Sequence, residues 1–473
     1  MKILFVFPSS YGGYGINEAT EQPPLGIGYL ASIAQRAGYK AGVLDSNFLK
    51  HTPGQAVEAI KQKKPDIVCL SLAAFNFRSG LKIAGLLKKT IPGVCVIAGG
   101  AHPSALMEKT LDKTTSIDAV VFGEGESTFL EIVKRMGKGV KDFSGIDGVI
   151  YRDGPAIVKN KAREPIMDLD TLPFPAFHLY PELSGYHRRA LRLPAAPILT
   201  SRGCPFECVF CSRAVFGRRV RYRSAENVVS EIDYLVERFG IRQLDIVDDN
   251  FITYKQRAVR ILELLCDKAY RLSINLQSGV SARLVDKEII GLMKKAGVYR
   301  IAFGVESGNR RVREIIKKNE DLGVVEKSIQ LAKKAGIRAD TFFMIGLPGD
   351  TPLSMEDTIN FAKKTDPHTA NFHMVVPFPG TELHSMIKQN GKFLRNTDGG
   401  IKSGYNYPEA FYELGSLKKK DIEKYYKKAY RNFYFRPKKI LQTLFSIRSF
   451  EELKWLFRTG FLVVFSLFRK RDG

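Results

Sequence analysis

Two series of short apolar runs, each run followed by a turn and a helical pattern, constrain the fold of this 473-residue chain most strongly. The runs of the first series are rich in Val and Ile and are bounded by Gly, Pro or Ser. Strands that are buried on both faces of a parallel sheet have this composition. We therefore predict a doubly wound α/β (Rossmann-like) domain with a parallel sheet over residues 1–136. Its predicted strands are 2–8, 41–46, 66–72, 94–100 and 118–125.

The second series begins near residue 196 and continues to residue 385. The Pro-rich, irregular stretch before it, 137–195, is interpreted as a linker with a small strand pair near 148–158. Six β/α units in succession predict a partial (β/α)6 barrel of the TIM type over 196–385. In such barrels the chemistry lies at the carboxyl ends of the strands. The predicted strands are 196–201, 243–249, 272–278, 300–306, 338–346 and 369–377.

The C-terminal region, 386–473, is predicted to be helical and to end in a basic, apolar tail. Residues 416–473 carry 16 Lys and Arg against 5 Asp and Glu, in a chain of formal net charge +24. The apolar run 461–468 is much shorter than the ~20 residues that cross a bilayer. The tail is interpreted either as a helical subdomain packed on the preceding domain or as a helix on an anionic membrane surface. Binding of nucleic acid is the less favoured third interpretation.

The use of cysteine points to a reducing compartment. Three of the six cysteines crowd into residues 204–211, and the other three lie singly in apolar runs, which excludes a disulfide framework. The start, MKILFVFPSS, has no small-residue cleavage site and is interpreted as a buried strand. We expect a cytoplasmic protein, with peripheral contact at the inner face of the membrane if the tail binds lipid.

The crowded cysteines, Cys204, Cys208 and Cys211, directly follow the first predicted strand of the second series. Thiolates are ligands of zinc and of iron–sulfur clusters. A closed zinc site needs a fourth ligand, but the nearest His residues are His187 and His368. Three cysteines can hold three irons of a four-iron cluster and leave the fourth iron open to another ligand. An open iron–sulfur site is therefore predicted here, with a structural zinc site as the alternative.

The loop Cys204-Pro-Phe-Glu-Cys208-Val-Phe-Cys211 resembles the CxxxCxxC signature of the radical S-adenosylmethionine superfamily. In that family the open iron of a [4Fe-4S] cluster binds S-adenosylmethionine, and reductive cleavage yields a 5′-deoxyadenosyl radical that removes a substrate hydrogen. The resemblance implies that the cysteines are metal ligands and catalytic residues, and that flavodoxin or ferredoxin donates the electron. The S-adenosylmethionine contacts that it implies are Phe210, Asp248, Asp249, Asn250, Gln277, Ser278, Glu306, Ser307, Lys318 and Gly346.

Each of these polar residues could instead be a core polar group of the barrel or a helix cap. The pair Asp248-Asp249 in particular could cap the helix that follows it. The sequence also departs from the family at one place, because relatives often carry an Arg just after the third barrel strand, where Gly279 stands here. Arg283 is the nearest candidate to replace that arginine.

The N-terminal half resembles the cobalamin-binding subclass of this superfamily, which includes class B methyltransferases and magnesium-protoporphyrin ester cyclases. The segments QPPLGIGYLAS, GGAHPS and GEGE carry the resemblance. The DxHxxG loop of many cobalamin domains is absent, since Asp45 is followed by Asn47 and Lys50, but the radical subclass commonly lacks it. The alternative is a domain that only caps the barrel. The implied cobalamin contacts are Phe75, Asn76, Gly99, Gly100, His102 (equally a loop-stabilising hydrogen-bonder), Gly123, Glu124 and Gly125.

Together, these resemblances imply methyl transfer from cobalamin to an unactivated carbon of a small-molecule substrate. The basic, apolar tail makes a hydrophobic or lipid-like substrate the preferred interpretation. The first alternative is a radical cyclisation or rearrangement without net methyl transfer, as in the oxygen-independent magnesium-protoporphyrin ester cyclase. The second is a non-catalytic iron–sulfur protein that associates with membranes.

Overall fold

The computed structural model describes residues 1–10, 22–186, 190–268, 270–401 and 409–446. The strands in these segments are β1 Lys2–Phe7, β2 Lys40–Asp45, β3 Ile67–Ser71, β4 Cys95–Gly99, β5 Ala119–Val121, β6 Val149–Asp153, β7 Ala156–Lys159, β8 Ala195–Ile198, β9 Ser201–Arg202, β10 Arg221–Tyr222, β11 Gln243–Ile246, β12 Ser273–Leu276, β13 Val298–Glu306, β14 Arg338–Ile345, β15 Thr369–Met374, β16 Gly391–Phe393 and β17 Tyr412–Leu414.

Helices alternate with most of these strands. They are α1 Leu25–Arg36, α2 Pro53–Lys63, α3 Phe77–Thr90, α4 Ala101–Leu106, α5 Lys109–Asp112, α6 Glu126–Gly137, α7 Ala225–Phe239, α8 Lys255–Asp267, α9 Lys287–Lys295, α10 Arg310–Ile315, α11 Leu322–Lys334, α12 Pro352–Thr365, α13 Glu382–Asn390, α14 Lys419–Tyr434 and α15 Pro437–Ser446.

The first sheet has the strand order β2-β1-β3-β4-β5-β6-β7, in which β1 to β5 are parallel and β6 and β7 are antiparallel. Alternate residues of β1 are buried in two different hydrophobic cores. Ile3 and Phe5 pack in the first core, and Leu4 and Val6 pack in the second. Both faces of the sheet are therefore covered, which explains why its strands are apolar throughout. All five predicted strands are present. The strand pair near 148–158 is also present, and it continues this sheet.

The second sheet contains six parallel strands in the order β15-β14-β13-β12-β11-β8. Apart from β8 to β11, neighbours in this order are consecutive in the sequence, and all six predicted strands are present. Strands β9 and β10 form a separate antiparallel pair within the β8–α7 connection. Apolar side chains such as Leu244 and Phe303 are buried in a core shared with the intervening helices. The chain is thus an α/β protein with two parallel sheets.

The first part of the C-terminal region packs on the second sheet. On α14, the hydroxyl of Tyr430 donates to the Phe372 carbonyl at 3.0 Å, and that of Tyr434 donates to the Ala370 carbonyl at 2.9 Å. Helix α15 follows, and the predicted apolar run 461–468 lies outside the described residues. Within the described segments, no helix combines the length and the apolar character that a bilayer crossing requires.

Candidate functional site

The three cysteines lie on the loop that joins β9 to β10, directly after β8 of the second sheet. The antiparallel pairing aligns Arg202 with Arg221 and closes the loop into a hairpin, here called the cysteine hairpin (201–222). Gly203 begins its loop with φ +90°, and an added Cβ would lie 2.5 Å from the Arg219 carbonyl oxygen. Only glycine fits this turn without displacing backbone. Along the loop Cys204 is half-buried, Cys208 is buried and Cys211 is exposed.

Asp248, at the end of β11, anchors the base of the cysteine hairpin. Its carboxylate accepts hydrogen bonds from the Thr200 backbone N–H and the Ser201 hydroxyl, both at 2.6 Å, and from the Thr200 hydroxyl. The side chain is fully buried, and burial raises the pKa of Asp248 despite these bonds. Helix α8 begins at Lys255 with Tyr254 as its N-cap, so the Asp pair does not cap it. The predicted contact of Asp248 with S-adenosylmethionine stays a prediction.

The other predicted contacts on β11 and β12 lie at the same carboxyl edge of the sheet. Asp249 is exposed beside Cys204 and faces solvent. Asn250 is buried, and its side-chain oxygen accepts from the Ser281 backbone N–H at 3.3 Å. Gln277 is half-buried and Ser278 is exposed. A ligand could therefore reach the side chains of Asp249, Gln277 and Ser278. Asn250 instead joins the loop after β11 to the loop after β12 by its hydrogen bond.

Glu306 is buried next to the hairpin, and the half-buried Lys318, which pairs with Glu320 at 3.7 Å, lies close to it. Glu306 ends β13 with φ +67°, and its Oε2 has no hydrogen-bond partner among the described residues. Burial raises the pKa of Glu306, and the charge of Lys318 opposes that shift. Burial lowers the pKa of Lys318, but the charges of Glu306 and Glu320 outweigh it and keep the ammonium protonated. A strained, incompletely bonded carboxylate beside a protonated amine is typical of a binding site.

Gly304 on β13 provides the space for this carboxylate. A Cβ added there would lie 2.7 Å from Oε1 of Glu306 and 3.6 Å from Nζ of Lys318. We expect Gly304→Ala to leave the unfolding midpoint nearly unchanged, because a flexible carboxylate can move aside. Its displacement should weaken S-adenosylmethionine binding to the reconstituted protein about tenfold or more, measured by equilibrium dialysis. Gly291→Ala, which meets nothing within 4 Å, is the matched control and should bind normally.

Arg283 also reaches the cysteine hairpin, although the family's usual arginine position holds Gly279. Its guanidinium carbon lies 5.2 Å from the centre of the Phe206 ring, and Nη2 donates to the Asn319 carbonyl at 3.0 Å. Arg283, Phe206 and Cys208 line one small cavity together with Lys318. The structure therefore places a second cation beside the cysteines.

The remaining predicted contacts are Phe210, Ser307 and Gly346, none of which lines this cavity. Phe210 is partly buried against the core. Ser307 is fully buried, and its hydroxyl accepts from the Asn309 backbone N–H at 3.1 Å, so it shapes the turn after β13. Gly346 has φ +90° and packs against Ile422 of α14, where a Cβ would lie 3.0 Å from that side chain. Ser307 and Gly346 thus have structural contacts in this state of the protein.

On β14 and β15 of the second sheet, the side chains of one face are partly accessible, whereas those of the other face are buried. On β14, Phe342 and Met344 are half-buried, whereas the alternate residue Phe343 is fully buried. On β15, Asn371 and His373 are likewise half-buried. A barrel interior is normally filled by such side chains. These aromatic, thioether, amide and imidazole groups therefore form a partly accessible face on β14 and β15.

The donor set of the hairpin fits an iron–sulfur cluster better than a single metal ion. Among the described residues, no three His, Cys, Asp or Glu side chains are grouped around one point as the ligands of one ion. A four-iron cluster distributes its thiolate ligands over different irons, so cysteines spaced along one loop suit it. The orphaned Glu306 carboxylate oxygen and the space at Gly304 lie next to the same loop. The residues present therefore fit a cluster with a polar ligand beside it.

The carboxyl edge of the first sheet is the predicted cobalamin site. Phe75 is half-buried after β3 and meets Phe7 edge to face with ring centres 6.0 Å apart. Asn76 is buried; its side chain accepts from the Ala73 N–H at 2.7 Å and donates to the Pro8 carbonyl at 3.2 Å. Asn76 thus shapes the loop, whereas Phe75 offers an apolar surface. In sheets of this strand order, ligands bind at the carboxyl edge where the order reverses, beside β1 and β3.

The glycine-rich loops after β4 and β5 lie at this same edge. Gly100 has φ +101°, and a Cβ there would lie 2.7 Å from the Leu72 carbonyl oxygen. Gly123 has φ +74° and open space where a Cβ would be. Gly99 and Gly125 are half-buried beside them. This edge has the room and the exposed backbone that a large ligand tail requires.

Two polar residues predicted to contact cobalamin have protein partners here. His102 is buried, with Nε2 at 3.3 Å from the Asp398 carbonyl, and burial lowers its pKa. Glu124 pairs with Arg221, and its Oε2 accepts from the Ile166 backbone N–H at 3.1 Å. A hydrogen-bonding role for His102 was one of its two predicted interpretations, but neither its partner nor the ion pair of Glu124 was predicted, because each contact joins segments far apart in the chain. The run of arginines around 218–223 was the available signal for the second.

Family models match two segments of the chain. The radical SAM superfamily model matches residues 198–362, and the B12-binding domain model matches residues 13–133. The first segment contains the cysteine hairpin and β11 to β14, and the second contains the glycine-rich loops. The two matches cover most of the two sheets, although β1, β6, β7 and β15 lie outside the matched residues.

Curated relatives match over most of the chain. An uncharacterized methyltransferase of Pyrococcus horikoshii is 33% identical over 451 residues, which is 95% of this chain and 96% of that protein. The anaerobic magnesium-protoporphyrin IX monomethyl ester cyclase of Rubrivivax gelatinosus is 29% identical, covering 81% of this chain and 69% of that protein. Cytidylyl-2-hydroxyethylphosphonate methyltransferase of Streptomyces wedmorensis is also 29% identical, covering 76% and 77%.

Two solved structures share the fold at low identity. The radical S-adenosylmethionine methyltransferase TsrM of Kitasatospora setae, with cobalamin and a [4Fe-4S] cluster bound, superposes with a TM-score of 0.70 at 15% identity, covering 99% of each chain. The cobalamin-dependent radical enzyme OxsB, with aqua-cobalamin bound, gives a TM-score of 0.74 at 18% identity, covering 99% of this chain and 72% of that one.

Proposed function

This chain belongs to the cobalamin-binding subclass of the radical S-adenosylmethionine superfamily, and on that premise we propose that it transfers a methyl group to an unactivated carbon of a small molecule. Its cofactors are a [4Fe-4S] cluster, S-adenosylmethionine and cobalamin. When bound, the cluster supplies the electron that splits S-adenosylmethionine into methionine and a 5′-deoxyadenosyl radical, and cobalamin supplies the methyl group. An electron donor such as flavodoxin or ferredoxin would reduce the cluster.

One observation carries this proposal: three thiols on one hairpin lie beside the buried carboxylate of Glu306 and the half-buried ammonium of Lys318 at the carboxyl edge of a parallel sheet. Cys204, Cys208 and Cys211 would hold the cluster. Lys318 would bind the methionine carboxylate as a protonated cation, and the free oxygen of Glu306 would accept a hydrogen bond from the cofactor.

The second sheet is proposed to be the wall of a partial (β/α)6 barrel. Its sequential strand order supports this, because β8 and β15 stand at opposite edges and are not paired with each other. The partly accessible face with Phe342, Met344, Asn371 and His373 would then line the barrel interior, here called the chamber. Such an enclosed interior would shield a radical from water.

The chamber and the tail support a substrate with a large apolar part. Phe342 and Met344 would contact that part, while Asn371 and His373 would bind a polar edge. The tail would bring the enzyme to the inner face of an anionic membrane, where lipid-like substrates reside. Helix α15 supports this contact, since Leu441 is 55% exposed and Phe445 is 87% exposed.

A second candidate function is radical cyclisation without net methyl transfer. The 29% identity to the anaerobic magnesium-protoporphyrin ester cyclase over 81% of this chain supports it. The same hairpin and chamber would serve both reactions, because each begins with removal of a substrate hydrogen. The two candidates differ in the fate of the methyl group of S-adenosylmethionine.

The test is anaerobic turnover with methyl-labelled S-adenosylmethionine and a reductant, on reconstituted enzyme supplied with a fractionated small-molecule and lipid extract. A methyltransferase produces both S-adenosylhomocysteine and 5′-deoxyadenosine, and the label enters an organic product. A cyclase produces 5′-deoxyadenosine without S-adenosylhomocysteine, and that outcome would overturn the methyl-transfer proposal. Omission of the reductant should abolish 5′-deoxyadenosine in either case.

A further inference from the structure

Two arginines face each other at the base of the cysteine hairpin. Arg202 on β9 is the register partner of Arg221 on β10, and both side chains are nearly inaccessible, at 3% and 1% exposure. Like charges directly opposite each other on paired strands are destabilising. A buried charge without a counter-charge is more costly still. The hairpin can therefore close only if carboxylates neutralise this pair.

The carboxylates come from the other domain. Glu124 and Glu126 lie at the start of α6, directly after β5 of the first sheet. Glu126 Oε1 lies 2.6 Å from Nη2 of Arg202, and Glu124 Oε2 lies 3.5 Å from Nη1 of the same residue. Glu124 Oε1 also pairs with Nη2 of Arg221. All four side chains are less than one-tenth exposed, so the set forms a buried two-arginine, two-glutamate cluster, here called the interdomain clamp.

Aromatic rings and backbone groups fix the clamp from both sides. The guanidinium of Arg202 lies between the rings of Tyr29 on α1 and Phe216 in the hairpin loop, at 5.4 and 5.1 Å from their centres. Nη1 of Arg221 donates to the Ile166 carbonyl at 2.8 Å. Arg202 thus touches the first domain and the cysteine loop at the same time.

We propose that Glu124 and Glu126 are positioning residues that close the cysteine hairpin from the first domain and set its position relative to the loop after β5. The hairpin carries the cysteines, and the loop after β5 carries Gly123 and Gly125 at the predicted cobalamin edge. The functional consequence rests on the proposed function. The clamp would set the position of the hairpin, where the radical forms, relative to the cobalamin edge, where the methyl donor binds. The glycine-rich loop therefore has a second role, in which its glutamates contact protein and not the cofactor.

The first test measures hydrogen exchange in the cysteine hairpin of the full chain, without cofactors. Hydrogen exchange of peptides covering 203–220 should accelerate about tenfold or more in Glu124→Gln and Glu126→Gln, because local opening of the hairpin becomes easier. The matched control is Asp340→Asn. Asp340 is a buried carboxylate that pairs with Arg300 and Arg338, which are also direct register partners, on β13 and β14. Its loss should lower the unfolding midpoint but leave hairpin exchange unchanged.

The second test uses the reconstituted protein. The Glu126→Gln variant should keep its cluster absorbance and form 5′-deoxyadenosine, but the ratio of S-adenosylhomocysteine to 5′-deoxyadenosine should fall at least about tenfold. If hydrogen exchange in the hairpin is equally slow in the Glu variants, the Asp340 variant and the unmodified chain, the proposed role of the clamp is wrong. If the unmodified chain forms neither product, the proposed function fails while the exchange result still decides the clamp.

Discussion

Replacement of Cys208 by alanine is expected to abolish both the cluster and the cleavage of S-adenosylmethionine. Even residues that only support a metal ligand cost about 10–100-fold in metal affinity or activity when they are changed, so loss of a ligand should exceed that range. Cys208 is also the buried cysteine of the hairpin, and the neighbouring Cys211 thiol lowers its pKa. The measurements are iron content, brown absorbance and 5′-deoxyadenosine after anaerobic reconstitution and reduction.

Cys266→Ala is the matched control for this experiment. Cys266 is half-buried on α8, away from the hairpin, and it lies singly in an apolar run. This variant should bind iron and produce 5′-deoxyadenosine like the unmodified protein. If Cys208→Ala retained the cluster with full activity, the assignment of the hairpin as the cluster site would be wrong.

Replacement of Asp248 by alanine should destabilise the protein by about 3 kcal/mol or more, since three donors would lose their buried acceptor. These donors are the Thr200 N–H and the hydroxyls of Thr200 and Ser201, at the base of the cysteine hairpin. The fraction of the protein that retains the cluster should fall as well. Denaturant unfolding of the cofactor-free protein, followed by iron analysis after reconstitution, measures both effects.

The neighbouring Asp249→Ala variant separates anchoring from ligand binding. Asp249 is exposed, so its removal should leave the unfolding transition in place. A reduced affinity for S-adenosylmethionine in this variant alone would identify Asp249 as the ligand contact. If instead Asp248→Ala kept full stability and its cluster but lost S-adenosylmethionine binding, Asp248 would be the ligand contact that the family resemblance implies, and its anchoring role would be wrong.

The elements of both sheets could be predicted because each strand is a short apolar run that must be buried on both faces. β1 illustrates this: its alternate side chains fill two cores, so no polar position interrupts the pattern. The strand pair β6 and β7 was also predicted, but its addition to the first sheet was not. That addition depends on pairing between β5 and β6, which local sequence does not encode.

The site was predictable where residue type alone carries the chemistry. Three thiols at fixed spacing indicate a cluster whatever surrounds them, whereas Glu306 and Lys318 were placed beside it only by the resemblance to the radical S-adenosylmethionine superfamily. The roles of Asp248 and Glu124 could not be derived in this way. Each is defined by partners about 42 to 97 residues away, and such pairings follow from the packing of whole domains.

In the proposed enzyme, the cysteine hairpin holds a cluster that cleaves S-adenosylmethionine, and the same chain binds cobalamin. The most direct measurement is anaerobic reconstitution of the full chain with iron, sulfide and cobalamin, gel filtration, and then reduction in the presence of S-adenosylmethionine. Iron and cobalamin should elute with the protein, and 5′-deoxyadenosine should form on reduction. Zinc in place of iron, or no 5′-deoxyadenosine under a strong reductant, would contradict this proposal.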